Sequence, residues 1–260
     1  NLQIESHDLN PGEMIIADEN GFTIKKYTEI EKTSYCFFEW IYFAHLASVM
    51  DGESVYRVRE RIGEELAKEE IVERGSQDWC VVPVPETSYV AGFKYAQEMN
   101  IPFAAGLLKN HSVGRTFIDN TNRKHNISLK FTHLREALRG KKVILVDDSI
   151  VRGTTMRTLV RNLKEWSGVK EVHIRIGCPP ITSPCFYGID FPTIKELYAG
   201  NSTPDPSDFG ADSLYYLSLN GLLSALDKER EELCAACITS TYPTLEGSRR
   251  WQKQLNENLH

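Results

Sequence analysis

Two adjacent carboxylates, Asp147 and Asp148, open a short polar stretch that continues through Ser149, Val151, Arg152, Gly153, Thr154 and Thr155 within KKVILVDDSIVRGTT. A glycine lets backbone approach an anion with no Cβ in the way, and two threonine hydroxyls add donors. If a helix starts there, its unpaired N–H groups and partial positive charge can hold a phosphate. Carboxylates repel phosphate, so the aspartates must serve another part of the same ligand. The vicinal hydroxyls of a ribose, or a divalent cation that neutralises the site, meet that requirement. A ribose carrying a 5-phosphate satisfies both ends.

The flanking sequence supplies the elements that must hold these residues. Val143 to Val146 is an unbroken aliphatic run, the pattern of a strand buried on both faces of a parallel sheet. Met156, Leu159, Val160, Leu163 and Trp166 recur at spacings of three and four, which predicts a helix from near Thr154 to near Gly168. Strand, polar loop and helix recur upstream, with a strand over Trp79 to Val84, the loop PETS and a helix from Ser88 to about Met99. Pro102 to Leu108 reads as a third strand, Glu171 to Gly177 as another, Ser213 to Leu219 as a last one, and Gly221 to Glu232 as a helix. Val55, Val58, Ile62 and Leu66 form the apolar stripe of an amphipathic helix. The expected fold class is α/β, a mostly parallel twisted sheet flanked by helices, with ligand at the carboxyl ends of its strands.

VILVDDSIVRGTT resembles the phosphoribosyl-pyrophosphate (PRPP) motif of type I phosphoribosyltransferases, and SIVRGTT is similar to the glutamine-dependent amidophosphoribosyltransferase branch. VPVPETS resembles that family's pyrophosphate loop, which implies that Glu86, Thr87 and Ser88 bind PRPP and that Thr87 shares a magnesium site with Asp147 and Asp148. A helix cap is the plainer reading of Glu86 and Thr87. KNHSVGRTFI resembles the start of the family's flexible lid, where His111 and Ser112 replace the usual arginine and tyrosine. Lys109 and Arg115 are kept, and the resemblance implies that they stabilise the departing pyrophosphate. The implied reaction joins PRPP and ammonia to give 5-phosphoribosylamine and pyrophosphate, the first committed step of purine synthesis. Two other readings share the central motif: a phosphoribosyltransferase for a free nucleobase, and a non-catalytic PRPP-binding regulator.

The chain has 260 residues, 41% hydrophobic and 25% charged, with a formal net charge of −6. That is ample for one large globular domain, and the acidic balance argues against a nucleic-acid partner. The most apolar stretch, Cys36 to Met50, is interrupted by Glu39 and His45 and too short to span a bilayer, so no membrane partner and a cytoplasmic location are expected. Residues 1–30 contain apolar pairs around Asn20-Gly21, which predicts a hairpin. They resemble the tail strands of the family's N-terminal glutaminase domain, whose remainder would precede this chain. A phosphoribosyltransferase domain over 31–245 and a charged tail over 246–260, expected as a frayed helix, complete the division. Residues 35–48 read as a buried strand and turn.

Six cysteines in a chain expected in a reducing compartment are not a disulfide framework. The spacing Cys234-x-x-Cys237 means metal, cluster or redox couple without choosing among them. The family resemblance implies that Cys36, Cys185, Cys234 and Cys237 hold a [4Fe–4S] cluster; zinc suits the same residue types. Cys80 and Cys178 read as core packing. The family further implies a homo-oligomer with purine nucleotides as feedback inhibitors.

Overall fold

The computed structural model describes residues 9–29, 33–110, 130–191, 193–200 and 202–258. The chain opens with the expected hairpin, β1 (Glu13–Asp18) against β2 (Gly21–Lys26), in a register that pairs Ile15 with Ile24 and Asp18 with Gly21. Met14, Ile15, Ile16 and Phe22 on it are exposed.

Residues 35–48 depart from the expected strand. The strand there is β3 (Tyr35–Cys36), two residues long, and a π-helical turn over Glu39–Phe43 follows. Phe37, Phe38, Trp40 and Ile41 are all buried, and the alternation of a strand would have sent neighbouring side chains to opposite faces. The widened turn is held from outside. The buried Arg59 guanidinium donates to the carbonyls of Trp40 (2.9 Å), Tyr42 (3.2 Å) and Ala44 (3.0 Å), groups that a helix end leaves without partners. A small hairpin of β4 (Val49–Met50) and β5 (Glu53–Ser54) then delivers Ser54 as the N-cap of α1 (Val55–Lys68), which buries the predicted stripe of Val55, Val58, Ile62 and Leu66.

The central sheet is parallel. It contains β6 (Trp79–Pro83), β9 (Lys142–Asp147), β10 (Glu171–Ile176) and β11 (Ser213–Tyr216) in the order β11-β10-β9-β6. Val143 to Val146 of β9 are fully buried, as a strand covered on both faces requires. Between β6 and β9 come α2 (Tyr89–Met99), β7 (Leu107–Lys109), β8 (Phe131–His133) and α3 (Arg135–Leu138). Helix α4 (Thr154–Glu165) follows β9. The predicted strand over Pro102 to Leu108 is a correction: one parallel bridge joins Phe103 to Val81, and the chain then turns away so that β7 pairs antiparallel with β8. Pro102 brings no N–H to a ladder, which leaves its carbonyl alone to accept from Val81 N–H at 2.8 Å.

Beyond β11, Ser218 caps α5 (Leu219–Leu226) through its hydroxyl, so that helix begins and ends earlier than expected; Asp227 stops it in the left-handed region at φ 52°. β12 (Leu233–Cys234) returns to pair in parallel with β3, and α6 (Ala236–Thr239) follows at once. The tail is an ordered helix, α7 (Leu245–Asn258), where fraying was expected. Thr244 Oγ1 accepts from Gly247 N–H at 3.0 Å at its start, and Trp251 lies 6.0 Å from the Tyr242 ring. No helix among the described residues is long and apolar enough to cross a membrane.

A buried ion pair ties β10 to the end of α1. Arg175 Nε and Nη2 both engage the Glu70 carboxylate, Tyr95 Oη donates to it as well, and Arg175 Nη1 reaches Ser213 Oγ at 2.9 Å. Burial alone would raise the Glu70 pKa, but the Arg175 guanidinium and the Tyr95 hydroxyl overcome it and hold the carboxyl at about 2. A depressed carboxylate contributes stability that is full above its unfolded value of 4.5 and fades as pH falls toward 2. Arg175→Met strands that charge and should cost about 3–5 kcal/mol at neutral pH. In urea unfolding the variant's deficit should shrink between pH 7 and about pH 3.5, as Glu70 takes a proton in the folded state. Equal deficits at both would contradict the ion pair.

Candidate active site

Strand pairing puts the two aspartates at the carboxyl edge of the sheet. Val84 N–H donates to the carbonyl of Val146 and Gly177 N–H to that of Asp147, each at 2.8 Å, so the end of β9 is pinned from both neighbouring strands. Open α/β sheets bind ligands outside this edge.

The loop after β6 closes over the pair. Ser88 Oγ donates to Asp147 Oδ1 at 3.1 Å, and Thr87 Oγ1 donates to Asp148 Oδ2. From the other side, the Asp148 N–H donates to Asp147 Oδ1 at 2.9 Å and Ser149 Oγ to Asp148 Oδ1 at 2.6 Å. Two loops separated by some sixty residues of sequence therefore meet on one carboxylate pair. Burial pushes the Asp147 pKa well up, and the neighbouring Asp148 charge adds to it, against the Asp148 N–H and the Ser88 hydroxyl. Burial also raises Asp148, opposed by the hydroxyls of Ser149 and Thr87 and by the positive charge of Arg59. Crowded hard oxygen donors whose negative charge is costly form a set suited to a small divalent cation.

The phosphate-type half lies directly downstream. Gly153 caps α4 at φ 73°, a conformation that favours glycine, and a Cβ there would meet the Phe209 ring at 3.1 Å. Thr154 and Thr155 form the first turn of α4. The Val151 carbonyl accepts from Tyr198 N–H at 2.8 Å, and Arg152 Nη2 lies 3.3 Å from Glu196. On the opposite side, Lys109 Nζ pairs with Glu86 at 2.7 Å. The structure thus brings together Glu86, Thr87, Ser88, Lys109, Asp147, Asp148 and Ser149, with Val151 to Thr155 completing the same edge. Arg115, His111 and Ser112 lie outside the described residues. Arg59, Glu196, Tyr198 and Phe209 were not singled out from the sequence. They sit in segments whose own pattern is ordinary helix or loop, and only long-range packing brings them here.

The four cysteines also converge. Cys36 and Cys234 are direct partners across the β3–β12 ladder, and Cys237 follows in α6. The Cys237 carbonyl accepts from the N–H groups of Thr182 (2.9 Å) and Ser183 (3.0 Å), which carries Cys185 alongside. Burial raises Cys36 to about 11, with Cys234 and Cys185 pushing the same way, and raises Cys237 well above the ordinary thiol range, with Cys36, Cys185 and Cys234 adding to it. All six cysteines are free thiols, with Cys80 and Cys178 buried in the core as expected. Among the described residues, no group of three or more His, Cys, Asp or Glu is gathered closely enough to hold a single metal ion.

A family model described as the phosphoribosyl transferase domain matches residues 53–178. The amidophosphoribosyltransferase of Methanocaldococcus jannaschii is 43% identical over 91% of this chain and 53% of its own length. That of Archaeoglobus fulgidus is 44% identical over 91% of this chain and 52% of its own. Among solved structures, a glutamine PRPP amidotransferase from B. subtilis, complexed with ADP and GMP, matches with a TM-score of 0.77 and 40% identity over 91% of this chain and 53% of that one. A structure described as the allosteric regulatory enzyme of purine biosynthesis gives a TM-score of 0.77 at 41% identity, over 90% of this chain and 51% of that one. The chain spans about half the length of the relatives it matches. With a parallel sheet, a clasped aspartate pair and a glycine-threonine helix start all in place, the chain carries a phosphoribosyl transferase domain and is similar to the amidophosphoribosyltransferases it matches over about half of their length.

Proposed function

We propose that this chain carries the synthase half of an amidophosphoribosyltransferase, transferring the phosphoribosyl group of PRPP to ammonia with release of pyrophosphate. The observation that carries this reading is the clasp of Thr87 and Ser88 on Asp148 and Asp147, one loop away from the start of α4. The amides and hydroxyls of Gly153, Thr154 and Thr155, with Val151 and Arg152, take the 5-phosphate. Asp147 and Asp148 fix the ribose hydroxyls, and with Thr87 they would hold magnesium. When bound, that ion neutralises negative charge developing on the pyrophosphate.

The bond from C1 to the pyrophosphate oxygen breaks ahead of attack, its electron pair leaving with pyrophosphate. Ammonia then gives its lone pair to C1, and the ammonium formed loses a proton to solvent. No protein nucleophile is needed. Backbone amides around Glu86 to Ser88, with Lys109 and Arg115, stabilise the leaving group. In the intact protein ammonia comes from glutamine through a glutaminase domain, against whose remaining strands the exposed apolar hairpin of residues 13–26 would pack. A cytoplasmic homo-oligomer inhibited by purine nucleotides completes the proposal, supported by the ADP and GMP held by the B. subtilis relative.

Cys36, Cys185, Cys234 and Cys237 would hold a [4Fe–4S] cluster, which ties the segment before α1 to the C-terminal segment. An all-thiol set drawn together by the β3–β12 ladder supports it. A lone zinc ion asks for four thiolates about 2.3 Å from one centre. Zinc suits the same residue types and is the alternative occupant to test.

In ammonium buffer with magnesium, the chain should release pyrophosphate from PRPP, give none with glutamine, and prefer ammonia to adenine, guanine, hypoxanthine or uracil. Asp147→Asn keeps the oxygen that accepts from Ser88 but removes the charge, so release should fall by about 10² or more. Because burial raises Asp147, the ionised form weakens the empty fold above that pKa and the cost disappears as pH falls. The same variant should therefore melt a few degrees higher than wild type at pH 7 without ligand, and full activity or a lower melting point would contradict the assignment. For the cysteines, anaerobic reconstitution should bind about four iron atoms per chain with visible charge-transfer absorption, lost in Cys237→Ser. One zinc per chain and no iron would replace the cluster by a single-ion site.

A further inference from the structure

We propose that Arg157, with Tyr198 and Phe209, is a positioning residue that holds the 151–154 loop in the shape that accepts a sugar 5-phosphate, an inference that rests on the function proposed above. Arg157 sits one turn into α4, and its N–H donates to the Gly153 carbonyl at 3.0 Å. Its guanidinium lies over two rings, 5.5 Å from the centre of Tyr198 and 5.3 Å from that of Phe209, and its Nε donates to the Asp208 carbonyl at 3.1 Å. The two rings meet edge to face at 4.7 Å and both are buried.

This stack touches the loop at two points. Tyr198 N–H donates to the Val151 carbonyl at 2.8 Å. Phe209 backs Gly153 so closely that a Cβ would come within 3.1 Å of its ring and 3.3 Å of Arg157 Nη1. The brace is itself fixed. Tyr198 Oη donates to Asp208 Oδ2 and accepts from Asp205 N–H, both at 2.9 Å, while Asp205 Oδ1 accepts from Ser207 N–H at 2.7 Å. Arg152 adds an outer tie to Glu196.

A left-handed glycine at a helix start is easily displaced when nothing packs behind it, and amides that aim at an anion work by being held still. The brace reaches the side of the site that would take the 5-phosphate. The pyrophosphate side, around Glu86 to Ser88, has no contact with it among the bonds described above. A local positioning role therefore affects one ligand and spares the other, whereas general loosening affects both.

Calorimetric binding of ribose 5-phosphate and of magnesium pyrophosphate to the full chain tests this, with wild type, Arg157→Gln, Arg157→Lys and Phe209→Leu. Arg157 is exposed, so its variants should fold even if Phe209→Leu does not. Arg157→Gln should weaken ribose 5-phosphate about fivefold and leave pyrophosphate within about twofold, and Arg157→Lys, which keeps a cation over the rings, should recover most of the loss. Unchanged ribose 5-phosphate binding in Arg157→Gln, equal weakening of both ligands, or no recovery with lysine would overturn the brace. A wild-type chain that binds neither ligand would instead overturn the proposed function.

Discussion

Two adjacent carboxylates held where burial opposes their charge are the constraint to which the rest of this fold answers. Burial makes both charges costly and the Asp148 charge adds to the cost at Asp147, while hydroxyl donors from Thr87, Ser88 and Ser149 together with the Asp148 amide recover part of it. A fold selected for stability alone would place neutral side chains there. Keeping two acids stores an unmet demand for positive charge and hydrogen-bond donors at the sheet edge, which the magnesium-bound sugar phosphate proposed above would meet.

The surrounding elements make sense as supports for that edge. β9 is buried on both faces and paired on both sides, so its end moves little. The clasp from the loop after β6 and the brace from residues 196–209 then set the two halves of the site independently, one around the acids and one around the helix start. Arg59 links a third region. The same guanidinium that closes the π-helical turn at residues 39–43 places its charge within reach of Asp148, so the aromatic segment before α1 is electrostatically joined to the acids.

How far the sequence alone carries depends on whether the signal is local. β9, its loop and α4 were legible because an aliphatic run, a glycine and a three-four stripe each state their own conformation. The strand and turn expected over residues 35–48 became a two-residue strand and a π-helical turn, since a run apolar at every position but Glu39 has no clear period from 37 to 43, and the arginine that settles the matter lies in α1. The stretch from Pro102 was misread for a related reason: its composition suits a strand, but a ladder needs donors that proline lacks. The brace was invisible, because Tyr198 and Phe209 lie in turns with no periodicity and matter only through contacts with a loop some fifty residues earlier. The cysteines were intermediate. Their spacing named a binding chemistry, whereas their meeting depends on the pairing of β3 with β12.

The most direct measurement is a crystal structure of the chain with ribose 5-phosphate and magnesium. The account predicts phosphate oxygens on the amides of Gly153, Thr154 and Thr155 and the ribose hydroxyls turned toward Asp147 and Asp148. A sugar phosphate bound elsewhere, or bound here with its hydroxyls facing away from both acids, would contradict it.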